Sequence, residues 1–361
     1  MKAMIMLEDG HSFSGQAFGA VGERIGKLAL NTAVVGYQEM LTDPANAGKI
    51  LVLTYPLIGN YGVADKFNES DTIWTSGLII KEHSRIYSNW QATGSLEAFV
   101  KAQNLMVLSD VDTRTLAVHL RSKGEMLGII SSDCGQVKEL QAKLDAFRNK
   151  PAISMLPEIS VKTVTAMEKK ARAKKKVAVL DLGITRSLLR QLTASGFGIT
   201  LFPYDVSAAE ILKTKPQGLI LSSGPEEDVG MGVVAENIKP LIGKLPLLGI
   251  AAGHQVLCRA LGGKVVKMRL GHHGVNYPMS LPPSLKSEIT VQNHSLTVDA
   301  DSLAKVKGLK ITGYNLNDRT VEKIESKNLQ CLGVQFDPAS PGFDEVHPVF
   351  AAFKNMMERS R

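Results

Sequence analysis

Apolar and polar residues along this chain fall into short blocks, and the rhythm of those blocks changes near residue 176. An apolar run at 2–7 leads into Glu8-Asp9-Gly10, whose Asp-Gly pair favours a tight hairpin, and a second strand is expected at 12–18. Short apolar segments at 51–53 and 77–80 predict further strands, and the patterns at 95–103 and 113–123 predict helices. Asp112-Thr113-Arg114 places N-cap chemistry at the head of the second helix. Residues 1–150 therefore read as a self-contained domain of mixed strands and helices.

Beyond residue 176 the pattern becomes a regular alternation. A strand at 177–182 is followed by a helix at 185–195, a strand at 198–204, a short helix at 207–213 and a buried strand at 218–221. That order predicts an α/β domain over 176–361, a doubly wound parallel sheet with helices on both faces. Ligands of such sheets sit beyond the strands' carboxyl ends. The turn Ser222-Ser223-Gly224-Pro225 falls at one such end. Residues 151–175 read as a basic linker, with the run at 166–176 either solvated or in contact with an acidic partner.

A second strand end carries the most specific chemistry. Gly249-Ile250-Ala251-Ala252-Gly253-His254-Gln255 follows an apolar run at 245–248 and precedes a helix-like stretch at 256–261. Strand, glycine-flanked turn and helix make the layout of a nucleophile elbow, which exposes its central side chain near a helix N-terminus. Ser or Cys at that centre would be a nucleophile. Here the residue is Ala251, and a methyl group cannot attack a carbonyl.

Composition narrows the picture modestly. With 361 residues, 44% apolar and 21% charged, the chain suits two ordinary globular domains. A net charge of +7 without interleaved aromatic and basic residues gives no nucleic-acid signature. No apolar run approaches the ~20 residues that cross a bilayer, and residues 1–7 are too short for a signal peptide. No membrane role and a cytoplasmic location are expected. Cys134, Cys258 and Cys331 lie far apart without metal spacing and read as reduced thiols. Cys258 lies about two helical turns, roughly 10 Å, past Ala251 and cannot replace a nucleophile there. Adjacent His272 and His273 read as part of a structural turn rather than a metal pair, and no metal site is expected.

These features resemble the class I glutamine amidotransferases. Asn31-Thr32-Ala33-Val34-Val35-Gly36-Tyr37-Gln38-Glu39, Thr42-Asp43-Pro44, Thr54-Tyr55-Pro56, Ile58-Gly59-Asn60 and Asp112-Thr113-Arg114 resemble the small subunit of carbamoyl-phosphate synthetase. So do GHHGVNYP at 271–278, Gln292-Asn293-His294 and Ala339-Ser340-Pro341-Gly342, in order across both domains. The resemblance implies a heteromeric partnership, made through the N-terminal domain, with a large subunit that uses ATP and bicarbonate. It implies no cofactor in this chain, and a product destined for pyrimidine and arginine biosynthesis. In the family the small subunit hydrolyses glutamine with a Cys at the elbow and a His and Glu from a Gln-x-His-Pro-Glu-Ala-Ser-Pro-Gly segment. The Cys forms a thioester, the His moves protons and the carboxylate orients the imidazole.

This chain departs at each of those positions. Ala251 stands for Cys, Asp337 stands for His, and the Glu after the proline is missing from Gln335-Phe336-Asp337-Pro338-Ala339. A carboxylate cannot shuttle protons at neutral pH as an imidazole does. His347, ten residues on, falls at the start of the terminal helix and is not expected to rescue the reaction. By resemblance the glutamine pocket comprises Ala33, Gly224, Glu226, Ala252, Gln255, Asn293, Ser295 and Leu296. Of these, Gly224, Gln255 and Asn293 keep the family's residue. Glu226 replaces a glycine and adds bulk and negative charge to a turn. Three readings follow: a non-catalytic subunit of an ammonia-using synthetase, a pseudoenzyme repurposed to bind another small ligand or protein through the altered pocket, and an active glutaminase.

Overall fold

The computed structural model describes residues 1–133, 137–167, 175–284, 286–339 and 345–359. They form two compact units, Met1–Pro151 with Arg269–His273, and Ala152–Met268 with Gly274–Arg361.

In the first unit seven strands close into a barrel. Its order is Lys2–Leu7, Ser12–Gly19, Met106–Ser109, Gly77–Ile79, Lys49–Leu53, Glu23–Asn31 and Leu127–Ser131, which pairs back onto Lys2–Leu7. Closure leaves no exposed sheet edge. The inner side chains, among them Ile5, Leu28, Ile50, Ile79, Leu108 and Ile130, are buried together. Both expected helices form. Ser95 caps Leu96–Ala102 by accepting from Ala98 N–H, and Asp112 caps Thr113–Lys123 by accepting from Thr115 N–H.

Among the described residues the second unit carries a ten-stranded sheet. Its order is Thr165–Ala166, Phe197–Phe202, Lys175–Leu180, Gly218–Leu221, Leu247–Ile250, Cys331–Val334, Val321–Ser326, Lys310–Asn315, Val265–Ser280 and Ser287–Val298. The five strands from Phe197–Phe202 to Cys331–Val334 are parallel. Gly218–Leu221, Leu247–Ile250 and Cys331–Val334 are buried along their whole length, as strands covered on both faces must be. Thr185 caps Arg186–Ala194, and Ser207 with Glu210 forms a capping box on Ala208–Lys213.

Two expectations need correction. Much of the stretch expected to be a linker is folded onto the second unit. Leu156 is fully buried in its core, Met155 N–H donates to Asp228, and Val161 N–H donates to Asp181. The remainder of the basic run, 168–174, lies outside the described residues, as does Cys134. The second correction concerns His272 and His273, which lie inside the strand Val265–Ser280 and not in a turn. Successive strand residues point to opposite faces, so the pair cannot share an ion. The segment Arg269–His273 groups with the barrel unit, where buried Glu125 accepts from Gly271 N–H at 2.8 Å and pairs with His273 Nε2 at 3.1 Å and Lys27 Nζ at 2.9 Å.

Candidate active site

Three adjacent parallel strands, Gly218–Leu221, Leu247–Ile250 and Cys331–Val334, deliver the site to one end of the sheet. The first leads to Gly224 and Glu226, the second to Ala251, and the third to Gln335 and Asp337.

Ala251 occupies the elbow with φ 49° and ψ −113°, and the helix Ala252–Ala260 starts directly after it. A non-glycine residue with that backbone is strained, and strain of this kind clusters at functional turns. Three contacts hold it. Ala251 N–H donates to Val334 O at 2.9 Å, and Ala251 O accepts from His254 and Gln255 N–H at 3.0 and 3.2 Å. The flanking glycines serve close approach rather than left-handed geometry. A Cβ on Gly249 would lie 2.6 Å from Gly253 O, and one on Gly253 would lie 2.2 Å from Leu221 O. Gly224 is constrained likewise, because its Cβ would lie 1.9 Å from Leu182 O. The backbone of a catalytic turn is therefore complete and ends in a methyl group.

No general base stands ready among the candidates. Asp337 donates its N–H to Val291 O, and its Oδ1 accepts from Ala339 N–H at 2.8 Å, which makes it a turn former. It lines a cavity of about 180 Å³ together with Phe336, Glu288 and His347. His347 is committed at both nitrogens. Nε2 sits 2.7 Å from Glu288 Oε1, and Nδ1 accepts from Val349 N–H at the head of the terminal helix. The imidazole holds the Glu288 carboxyl below the usual carboxylate range. His254 is fully buried, with its ring against Gly333, where a Cβ would lie 2.4 Å from Nδ1. Burial pushes its pKa down to about 3, so it stays neutral and out of reach of solvent. Cys258 is also fully buried, and burial raises its thiol pKa well above the ordinary value. It is no surrogate nucleophile.

Four of the expected pocket residues converge. The Glu226 carboxylate, 4% exposed, accepts from Ser295 N–H, from Leu296 N–H at 3.0 Å and from Gln255 Nε2 at 2.9 Å. Gln255 Nε2 also lies 3.1 Å from Leu296 O and 3.3 Å from Gln335 Oε1. Gln335 is thus a pocket residue that the sequence reading missed. Its signal was adjacency, since it stands two positions before Asp337 at a strand's carboxyl end. Asn293 is half-buried on the same strand as Ser295. Ala252 is packed into the core beneath the elbow. Ala33 belongs to the barrel unit, buried, with its N–H bonded to Asn31 Oδ1 at 2.8 Å. The negative charge that Glu226 adds to the turn is thus met by the protein's own donors.

Parallel sheet, strained strand-to-helix turn and flanking close-approach glycines define a class I glutamine amidotransferase module. The family comparison agrees, matching residues 178–356 to "Glutamine amidotransferase class-I" and residues 5–130 to "Carbamoyl-phosphate synthase small chain, CPSase domain". The carbamoyl phosphate synthase small chain of Chlorobaculum tepidum is 39% identical over 99% of this chain and 98% of its own. That of Clostridium perfringens is 38% identical over 98% and 99%, and the pyrimidine-specific small chain of Bacillus subtilis is 36% identical over 99% and 96%. This chain belongs to the carbamoyl-phosphate synthase small chain family. No helix among the described residues is long and apolar enough to cross a membrane.

Proposed function

We propose that this chain is a small subunit that has lost glutamine hydrolysis and serves a carbamoyl-phosphate synthase large subunit as a non-catalytic partner. The observation that carries the proposal is the methyl group of Ala251 on an otherwise intact elbow. Thioester formation needs a sulfur nucleophile, and release of ammonia needs a proton carrier. Ala251 supplies neither, Asp337 is spent on a turn, and His254 and His347 are engaged elsewhere.

The intact barrel unit supports a continuing role in assembly, since its core and helix caps are complete. In this reading the complex draws on free ammonia, and the ATP and bicarbonate chemistry belongs to the large subunit. The alternative of a pocket repurposed for another small ligand loses support, because Glu226 already satisfies the donors such a ligand would use.

The test is reconstitution with a large subunit from the same genome. The complex is expected to make carbamoyl phosphate from ammonium, ATP and bicarbonate, and to make none from glutamine. Ala251→Cys alone is expected to restore alkylation by iodoacetamide without restoring ammonia release. Glutamine-dependent synthesis by the unaltered chain would overturn the proposal.

A further inference from the structure

The cluster around Glu226 has the form of an occupied binding site. Ser295 and Leu296 are consecutive, yet both N–H groups meet one carboxylate. In a regular strand successive amides point to opposite edges. Their convergence is a local concavity of backbone donors, the kind of feature that binds anions. Gln255 adds a side-chain donor on the same carboxylate. The neighbouring Gln335 is 1% exposed, and its Nε2 makes no hydrogen bond among the described residues, a further donor beside the cluster. The acceptor comes from a distant part of the chain, the turn after Gly218–Leu221, 69 residues before Ser295.

We propose that these donors form a latent site for a small carboxylate, and that Glu226 is its resident intramolecular ligand. The proposal rests on the reading that the pocket no longer serves glutamine, and it explains how the emptied pocket stays ordered. A tethered carboxylate competes at an effective concentration of order millimolar or more, so a free carboxylate of similar affinity is excluded at ordinary concentrations. Shortening the side chain removes the competitor and leaves the donors in place.

The experiment compares the full-length chain with Glu226→Ala and Glu226→Gln, using propionate and glutamate as probes and chloride at equal ionic strength as control. Glu226→Ala is expected to bind propionate at least about tenfold more tightly than the unaltered chain, and to show a saturable rise in Tm with it. The unaltered chain is expected to show neither. Glu226→Gln, which keeps the volume and one acceptor, is expected to remain closed.

Should Glu226→Ala fail to fold, the amide resonances of Ser295 and Leu296 in the unaltered chain provide the readout. They are expected to stay fixed during titration with propionate, and their movement at concentrations matching a free site would overturn the proposal. So would a folded Glu226→Ala with no preference for carboxylate over chloride. The two readings fail separately. Ammonia release from glutamine overturns the loss of hydrolysis, whereas absence of carboxylate binding in Glu226→Ala overturns the resident-ligand assignment alone.

Discussion

Replacing Ala251 with glycine should stabilise the second unit, an unusual outcome for a residue at the centre of a candidate active site. At φ 49° and ψ −113° the alanine Cβ is held in a sparsely populated backbone region, which costs of order 1–3 kcal/mol. Glycine adopts that geometry freely, at an entropic cost of roughly 0.5–1 kcal/mol in the unfolded chain. The methyl group is only partly buried, so its removal forfeits less than the ~0.8 kcal/mol of a fully buried carbon. The balance is a gain of about 1 kcal/mol, or roughly 2–4 °C in Tm for a unit of this size. Differential scanning calorimetry, read on the transition of the second unit, measures it. Ala252→Gly is the control. It lies one residue further, inside the helix and packed into the core, so the same deletion should be destabilising. A loss of stability in Ala251→Gly equal to that of the control would refute the argument that the elbow is strained. At the position where the family pattern places its Cys, this chain keeps the turn and carries a methyl group. Here the strain is retained with no reagent to present.

Two further outcomes test the surrounding packing and titration. Gly224→Ala should lower stability by about 1–3 kcal/mol or more, because the new Cβ meets the Leu182 carbonyl at 1.9 Å. Gly232→Ala, in the helix Met231–Ile238 with open space around the new carbon, should raise it by about 0.5–1 kcal/mol. Urea midpoints of the two variants should therefore move in opposite directions, and a shared sign would refute the close-approach assignment. His254 sets an acid limb. Its folded pKa of about 3 lies below the unfolded value near 6.5. The unfolded chain thus takes up a proton first, and stability is lost as pH falls from about 6.5 toward 3, at up to ~1.4 kcal/mol per pH unit. Unfolding at pH 7 and pH 5 should show a smaller difference in His254→Gln than in the unaltered chain, and equal differences would exclude His254 as the source.

What the sequence revealed and what it hid divide along one physical line. The alternation after residue 176 was legible because each parallel strand is a short apolar block closed by a turn and a capped helix, all information carried within about 30 residues. The elbow was legible for the same reason. Gly249, Ala251 and Gly253 are local, and their spacing alone dictates a sharp strand-to-helix reversal. Barrel closure was not legible, since pairing Lys2–Leu7 with Leu127–Ser131 joins residues at opposite ends of a domain. The strand Val265–Ser280 was hidden by its own composition, because the glycines and paired histidines at 271–274 interrupt the apolar alternation that marks a strand. Glu226 is the clearest case. A glutamate in a turn reads as added negative charge, and local sequence cannot say otherwise. Its character is set by two amides 69 and 70 residues away and by a glutamine 29 residues away, which convert an apparent ligand contact into a plug. The substitutions on which the proposed loss of hydrolysis rests, Ala251 and Asp337, are local and can be read from the chain. Whether the pocket beside them is open or filled is decided by long-range contacts, and only the folded chain displays them.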